Sequence, residues 1–589
     1  MVAVCRDLRL VRVIHSVMPS TADDSLAGGG SAGATGLVTA RSVPADPASP
    51  ARTAPGQPAP GWTASRAVRV VAALAGLAVI GTYVGIALTR IGYPGHLEIL
   101  EGNSLVEMRR ILAGQQLYPP PSAGYVPDGY TPLYFAVSAA AASVLGPSYL
   151  PLRLVSLVAS LACFAILGRL VQRETGSRGA GLAAAGLLAG TYFATDTWFD
   201  LGRVDSLFLA LSVAGLYAAR WAGRTRGAIV AGLLLGAAFC TKQTALAEGV
   251  AVLVALAAGP RRRLAVPAAI AYAAVVGGST LALGLASHGW YVYYVFEQMS
   301  QHALNPSSAS QFWVSELLPT LAVAICAAVL GARRMPFTLL AGCAALVAES
   351  FAARAQNGSN LNDLLPAYLA VAALAGLAMG GRSPLSPGGA SGRLAPARAR
   401  LAGMAPFAQI ARWRAGPAGP WIPVAAGALI IAQIGLLASG FRLSQAFPPA
   451  SDRAAGQRLV AAARLLGGTV AIPADPAIAV SAGLPPTEDQ VAAADVLRAS
   501  DQSAKAIFMA SLARAVATEQ YSAIITEFHG DLRGFPSDLP IYYHECPQMP
   551  QDGVLSVPFA ANAEAVHISI WLPIGHGPSC AAVTRTLES

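Results

Sequence analysis

Residues 96–103 directly follow the first long apolar run and read His96-Leu97-Glu98-Ile99-Leu100-Glu101-Gly102-Asn103. Carboxylates at the end of a hydrophobic helix are costly near lipid unless they face a cavity, a cation or a reaction. Another acid in such a place, Asp205, ends the stretch Phe199-Asp200-Leu201-Gly202-Arg203-Val204-Asp205. The loop between them ends Tyr130-Thr131-Pro132-Leu133-Tyr134-Phe135. The pattern predicts membrane-crossing helices whose connecting loops carry the chemistry.

The composition of the whole chain is that of a polytopic membrane protein. Apolar residues make up 54% and charged residues 12% of the 589 residues, and the mean hydropathy is +0.52. Such a chain is too apolar for a soluble protein of this length. The net charge of +9 does not indicate nucleic-acid binding. The basic residues instead cluster in short loops between apolar runs, as the positive-inside rule predicts.

Apolar runs occur at about residues 68–90, 132–146, 152–170, 179–196, 205–220, 227–241, 244–258, 264–287, 315–332, 336–352, 363–380 and 421–440. Charge parity allows only one crossing between the loop 91–131 and the basic loop near Arg173. The short run 132–146 is therefore expected to be an outer interfacial or re-entrant helix. The remaining runs predict about 11 spans in a plasma (inner) membrane. The N-terminus is then cytoplasmic, and the region after residue 440 is extracytoplasmic.

Three regions with different compositions follow from this reading. Residues 1–65 are expected to be a disordered cytoplasmic tail, because most of them are Ala, Gly, Pro and Ser. Residues 66–440 form the predicted transmembrane domain, so the fold class is mostly α. Residues 441–589 have a soluble composition and predict a small extracytoplasmic α/β domain, with strands at 470–473 and 522–526 and helices at 458–466 and 501–518. Cys546 and Cys580 are able to pair there if the compartment is oxidising.

In this order the motifs resemble the GT-C superfamily of membrane glycosyltransferases, particularly the bacterial aminoarabinose transferases and protein O-mannosyltransferases. The resemblance covers about residues 68–380 and is carried by Glu101-Gly102-Asn103, Thr131-Pro132-Leu133-Tyr134 and Arg203-Val204-Asp205. The family's Asp-Glu pair appears here as Leu100-Glu101, and the Lys of its Lys-Pro-Pro-Leu motif is absent. The resemblance implies a polyprenyl-phosphate-linked sugar donor. It also implies an acceptor hydroxyl, on a glycan, lipid or protein, at the outer face.

Such a transfer needs a carboxylate that accepts the acceptor's proton. Glu101 is the first candidate for this base and Glu98 the second. Glu101 has the alternative role of a helix N-terminal acid stabilised by the helix dipole. Asp205 is a further catalytic candidate, as a ligand for a divalent cation or as an orienting group; its alternative role is a helix cap or a partner of Arg203. The cofactor is otherwise unknown.

The transfer also needs cations for the leaving phosphate. Lys242 interrupts an apolar stretch and is a candidate phosphate ligand, with snorkelling to the interface as the alternative. The other predicted substrate-binding residues are Arg203, Tyr130, Tyr134, Glu297, His302, Arg354, Asn360 and Asn362.

Two other functional classes stay open. A transporter or lipid flippase of envelope precursors also buries charges within its spans, but such proteins tend to show internal repeats and broken helices at the membrane midplane. The sequence shows no convincing repeat, and its polar candidates gather on one predicted face. A non-catalytic scaffold in envelope assembly, acting through its C-terminal domain, is the other alternative.

Overall fold

The computed structural model describes residues 60–331, 335–380, 421–526, 535–546, 569–575 and 577–588. Each predicted apolar run forms a helix, because a backbone in lipid must satisfy its hydrogen bonds within the segment. The helices up to the last apolar run are Pro60–Arg90, Glu101–Leu112, Leu133–Leu145, Tyr149–Thr175, Arg178–Gly190, Asp205–Trp221, Thr225–Phe239, Ala245–Ala258, Ala265–Ala286, Trp290–Val292, Pro306–Gln311, Leu318–Gly331, Phe337–Arg354, Leu365–Ala378 and Ile422–Ser439. Most of the tail predicted at residues 1–65 lies outside the described residues.

Short 3₁₀ and π turns connect or extend these helices. The 3₁₀ turns are Phe193–Thr195, Arg262–Leu264, Leu361–Leu364 and Leu443–Ala446, and the π turns are Tyr293–Gln298 and Phe312–Leu317. Within the π turn at 293–298, Tyr293 and Tyr294 are buried. They pack in a cluster with Tyr118 of the first loop and with residues of the C-terminal domain.

By length and composition, seven described helices are able to cross a membrane: Ala64–Arg90, Tyr149–Thr175, Arg262–Ala286, Pro306–Leu330, Phe337–Arg354, Leu361–Ala378 and Ile422–Ser439. The other four predicted spans form helices of 13 to 17 residues, shorter than the ~20 residues that a perpendicular crossing needs. The chain is thus a polytopic helical membrane protein, and the count of eleven spans stays a prediction. Helix Leu133–Leu145, predicted to be interfacial, has 13 residues and a length of about 20 Å.

Small residues allow the first helix to approach its neighbours closely. A Cβ atom on Gly186 would lie 2.1 Å from the Cα atom of Gly76, so helices Pro60–Arg90 and Arg178–Gly190 touch backbone to backbone. A Cβ atom on Gly181 would likewise lie 2.3 Å from the carbonyl oxygen of Gly168. Van der Waals contact through small residues is a main source of helix association in lipid.

The C-terminal region contains a four-stranded sheet in the order β1-β2-β4-β3, formed by β1 (Val470–Ala471), β2 (Ala523–Thr526), β3 (Tyr543–Glu545) and β4 (Ser569–Pro573). β1 and β2 pair in parallel, whereas β2–β4 and β3–β4 are antiparallel. The accompanying helices are Ala450–Leu466, Pro476–Ser481, Gln490–Arg498, Gln502–Ala517, Leu539–Tyr542 and Cys580–Glu588. The two strands and two helices predicted from the sequence are confirmed, and Cys546 and Cys580 form a disulfide.

The C-terminal region docks on the first loop, residues 91–132. The backbone of Ala123 accepts from the N–H of Glu488 at 3.3 Å and donates to the hydroxyl of Ser511 at 3.1 Å. The hydroxyl of Tyr521 also donates to the carbonyl of Ala123 at 3.4 Å. These contacts hold the loop that carries the predicted acids between the helices and the sheet.

Candidate functional site

Glu101 begins helix Glu101–Leu112 and is completely buried. Arg153 donates from Nη2 to its Oε2 at 2.7 Å and from Nε to its Oε1 at 3.1 Å. The backbone N–H groups of Leu97 and Gly202 donate to the same carboxylate at 2.6 and 2.5 Å. Burial raises the pKa of Glu101, but the charge of Arg153 and these hydrogen bonds outweigh it and leave the pKa below its usual range. A carboxylate with four donors is a weak proton acceptor, so this geometry does not favour Glu101 as the base.

Glu98 lies three residues earlier in a different environment. Its Oε2 accepts from the N–H of Leu100 at 3.0 Å and lies 3.7 Å from Nε of Arg203. Its Oε1 is buried without a hydrogen-bond partner among the described residues. Burial raises the pKa of Glu98 to about 7, although Arg203 opposes the shift. A free carboxylate oxygen with a pKa near neutrality has the properties of a general base, so the geometry favours Glu98 over Glu101.

Arg203 is the centre of a buried charge cluster in the second loop, residues 191–204. Its Nη1 donates to the carbonyl of Leu100 at 3.2 Å and to Oδ2 of Asp128 at 3.4 Å. Its Nη2 donates to the hydroxyl of Tyr130 at 3.2 Å, and the guanidinium lies 5.3 Å from the centre of that ring. Arg203 therefore joins both loops, with Glu98 and Asp128 as its carboxylate neighbours.

Asp128 is held on its other side by Asn103, whose side-chain amide donates to Oδ1 at 2.7 Å. The backbone N–H of Asp128 donates to Oε1 of Glu107 at 2.9 Å. Burial raises the pKa of Asp128, and the charge of Arg203 partly offsets the shift. Two polar residues of helix Glu101–Leu112 thus position the acid that faces Arg203.

Lys242 forms a second buried charge cluster, in the turn after helix Thr225–Phe239. Its ammonium donates to Oδ1 of Asp205 at 2.9 Å and to Oδ1 of Asp363 at 3.2 Å. Asn362 donates to Oδ1 of Asp205 at 3.1 Å, while Oδ2 of Asp205 is buried without a partner among the described residues. Burial lowers the pKa of Lys242, but the two carboxylates outweigh it and raise the pKa above its usual range. The ammonium is therefore paired, and it does not need a phosphate or an interfacial position to be stable.

The predicted divalent cation at Asp205 would share its position with Lys242. The ammonium of Lys242 already lies between the carboxylates of Asp205 and Asp363. A divalent cation would compete with this charge for the two Oδ1 atoms or bind Oδ2 of Asp205, which has no partner among the described residues, so the ion stays a prediction. Lys242 supplies the positive charge at this position.

The two clusters are connected by the segment that contains Tyr130. The hydroxyl of Thr131 donates to the carbonyl of Phe239 at 2.7 Å, and the N–H of Leu133 donates to the carbonyl of Cys240 at 2.8 Å. Gln243 donates to the carbonyl of Gly129 at 2.6 Å. Burial raises the pKa of Tyr130 above its usual range, and the charges of Arg203 and Lys242 only partly offset the shift. These contacts place both clusters at one end of the helices.

The remaining predicted site residues make other contacts. Tyr134 donates to the carbonyl of Leu152 at 2.9 Å and serves helix packing. Arg354 pairs with Glu316 at 2.7 Å, and Asn360 caps the turn that begins at Leu361. Two more predicted residues have no described contact with either cluster: Glu297, which is exposed, and His302, which lies 3.8 Å from Asp495 of the C-terminal region.

Three charged side chains that contact the candidate residues were not among those selected from the sequence. Nothing in the sequence around Arg153 indicates that it pairs with Glu101, because a charged residue at the start of an apolar run is common. Asp128 stands two residues before Tyr130 in an Asp-Gly turn, which was a usable signal next to the Tyr130-Thr131-Pro132 motif. Asp363 belongs to the polar stretch 354–363, whose Asn residues were selected instead.

A cavity of about 410 Å³ lies on the far side of Glu101, between the first loop and the C-terminal region. Its lining includes His96 and Asp475, which are hydrogen-bonded, with Nδ1 of His96 2.5 Å from Oδ2 of Asp475. The hydroxyl of Tyr149 donates to Asp475 at 3.4 Å, and a Cβ atom on Gly102 would lie 2.1 Å from Oδ1 of Asp475. Gly102 is thus required for the close approach of the C-terminal region.

The helical bundle is similar in fold to the GT-C membrane glycosyltransferases, which the sequence motifs also resemble. Residues 128–290, which hold both cations, match the family described as dolichyl-phosphate-mannose-protein mannosyltransferase. Among curated proteins, no sequence matches the chain.

The fold is shared with two crystal structures of ArnT from Cupriavidus metallidurans. The structure bound to undecaprenyl phosphate aligns with a TM-score of 0.52 at 12% identity, over 85% of this chain and 99% of that chain. The apo structure aligns with a TM-score of 0.51 at 11% identity, over 84% and 97%.

Proposed function

We propose that the protein transfers a sugar from a polyprenyl-phosphate-linked donor to the hydroxyl of a glycan, lipid or protein acceptor. The observation that carries this proposal is the pair of buried cations, Arg203 and Lys242, together with Glu98, a carboxylate with a free oxygen next to Arg203. A leaving phosphate needs the cations and an attacking hydroxyl needs the base. The undecaprenyl phosphate bound to the similar ArnT structure supports the donor class.

In this mechanism the acceptor oxygen attacks the anomeric carbon as the bond from that carbon to the phosphate oxygen breaks. The hydroxyl proton passes to Oε1 of Glu98, which has no described partner. Glu101 does not take part, because Arg153, Leu97 and Gly202 occupy its oxygens. Glu101 instead fixes the first loop against the second, so that Glu98 and Arg203 stay adjacent.

The two cations stabilise the phosphate as its charge grows. An ammonium has three N–H groups, and Lys242 gives two of them to Asp205 and Asp363. The third is available to a phosphate oxygen. Arg203 keeps its Nε without a described hydrogen-bond partner. Charge-assisted bonds from both groups are about twice as strong as neutral ones.

The sidedness of the protein is part of the proposal. The disulfide between Cys546 and Cys580 supports an oxidising compartment for the C-terminal region, since cytosolic proteins rarely keep disulfides. The C-terminal region packs on the first loop, so the charge clusters face the same side. The N-terminus is then cytoplasmic, and the membrane is the plasma membrane.

The function is tested by the lipids that accumulate when turnover stops. Cells that carry Glu98→Gln in place of the natural chain are expected to accumulate a polyprenyl-phosphate sugar, detected by mass spectrometry of lipid extracts. The purified wild-type protein should then consume the accumulated species and release polyprenyl phosphate. Unchanged lipids in the variant, or movement of the lipid across vesicles without cleavage, would refute the proposal and favour a flippase.

A further inference from the structure

A groove of about 820 Å³ lies at the opposite end of helix Asp205–Trp221 from Asp205. It opens between this helix, helix Tyr149–Thr175 and helix Thr225–Phe239. Four arginines line it: Arg169, Arg173, Arg224 and Arg226.

None of these four arginines forms an ion pair with a described carboxylate. Arg220, which lies next to the groove, shows the contrast, because it pairs with Glu174 at 2.7 Å. The guanidinium carbon of Arg173 lies over Trp221, 4.0 Å from the ring centre, and Nη1 donates to the hydroxyl of Tyr217 at 3.0 Å. Stacking of this kind holds a guanidinium in place while its remaining N–H groups point outward. The groove therefore presents an excess of positive charge.

Below the arginines the walls of the groove are apolar. Ile166 lies one turn before Arg169, and Leu234 lies eight residues after Arg226. At 1.5 Å per residue, the apolar wall extends about 12 Å along the helix from the basic rim. Helix Tyr149–Thr175, which forms one wall, is a candidate membrane span. The basic rim is suited to bind the phosphate of a lipid headgroup, and the apolar walls below it are long enough to contact the first part of the acyl chains.

We propose that this groove binds an anionic diacyl phospholipid, with its phosphate on the arginines and its acyl chains along Ile166 and Leu234. The donor lipid is not the proposed occupant. Trp221, at the basic end of the groove, lies about 24 Å along its helix from Asp205, the partner of Lys242. A polyprenyl phosphate held here is out of reach of the charge clusters. This inference is independent of the proposed catalytic function.

Native mass spectrometry of the purified full-length protein in detergent tests the site, with dioleoyl phosphatidylglycerol and dioleoyl phosphatidylcholine as probes. We expect phosphatidylglycerol to be retained at least tenfold more tightly. The double variant Arg173→Gln/Arg226→Gln should lower its retention to the phosphatidylcholine level. Arg178→Gln, which removes an exposed arginine outside the groove lining, is the matched control and should leave retention unchanged.

Three outcomes overturn the proposal. Equal retention of both phospholipids, or an Arg178→Gln effect as large as that of the double variant, would mean that the lipid binds through nonspecific charge attraction and not in the groove. Full displacement by glycerol 3-phosphate at equal concentration indicates an anion site without acyl contacts. Tighter retention of undecaprenyl phosphate than of phosphatidylglycerol assigns the groove to the carrier lipid. Arg224→Gln, at an exposed loop position, supplies a second variant if the double variant folds poorly.

Discussion

Glu98 and Glu101 are three residues apart and both are buried, but they have opposite environments. Arg153 and two backbone N–H groups satisfy Glu101 completely, whereas Glu98 keeps a free oxygen and faces Arg203 at 3.7 Å. Glu101 and Arg153 form a closed pair, in which every carboxylate oxygen has a partner. Glu98 and Arg203 belong to an open cluster, in which a carboxylate oxygen and a guanidinium nitrogen have no described hydrogen-bond partner. Hydrogen-bond partners, rather than burial or position, separate a positioning residue from a candidate base.

The largest expected effect comes from Glu98→Gln. Gln has the same shape but cannot take a proton, so turnover should fall by about 10²–10⁴. The melting temperature should stay near that of the natural protein, because Glu98 is incompletely paired. The two measurements are turnover of the accumulated donor lipid and thermal unfolding of the purified variant. Retained turnover would remove Glu98 as the base.

Glu101→Gln is expected to act on stability instead. It leaves the guanidinium of Arg153 buried without its counter-charge, and breaking a buried pair in this way costs about 3–5 kcal/mol. Thermal unfolding should show the loss. Any protein that remains folded should keep a measurable rate with an unchanged pH profile. A stable Glu101→Gln protein without activity would reverse the roles assigned to the two acids.

Lys242→Met tests both the role of Lys242 in the second charge cluster and the predicted divalent cation at Asp205. Without the ammonium, Asp205 and Asp363 repel each other, so the variant should be less stable. A divalent cation is then able to bind where Lys242 was. Mg²⁺ should therefore raise the melting temperature of Lys242→Met. At a hundredfold excess of Mg²⁺ over its Kd, the free energy of unfolding should increase by about 2.7 kcal/mol. Mg²⁺ should not affect the natural protein, and an equal response of both proteins would contradict the assignment of Lys242 as the resident charge.

The pH dependence of turnover gives a smaller and graded effect. Burial raises the pKa of Glu98 to about 7, so the proton-accepting form is lost as the pH falls through 7. The rate should decrease about tenfold per pH unit below 7 and level off above it. The same shift means that the folded state binds more protons than the unfolded state, so this group lowers stability as the pH rises from about 4.5 to 7. A Glu98→Gln profile that keeps the inflection would assign it to another group.

The fold was largely predictable because its signals are local. Apolar runs predict helices without any knowledge of their neighbours, and the strands at Val470 and Ala523 lie in short apolar runs. The number of crossings was less certain, since helices as short as Arg178–Gly190 are ambiguous by length. Pairing of Gly76 with Gly186 was not predictable, because it depends on the rotation of two helices.

The candidate site residues could be selected from the sequence, but their partners could not. Glu98, Arg203, Asp205 and Lys242 were all selected from the sequence, and they do gather at one end of the helices. Their roles depend on partners that are distant in the chain. Arg153 lies 52 residues from Glu101, and Asn362 lies 157 residues from Asp205. No local pattern connects such residues.

The smallest expected effect separates two tyrosines of the same motif. Tyr130→Phe removes the hydroxyl that accepts from Arg203 but keeps the ring beside the guanidinium. A hydrogen bond to a charged group contributes about 1.5–3 kcal/mol, and we expect turnover to fall about tenfold with little change in unfolding temperature. Tyr134→Phe is the matched control, because its hydroxyl bonds with the carbonyl of Leu152 and the hydroxyl of Ser156, away from Arg203. It should lower stability by about 1 kcal/mol and leave the rate unchanged. If Tyr130→Phe and Tyr134→Phe lose the same rate, the cluster around Arg203 only holds the loops in place, as the pair of Glu101 and Arg153 does.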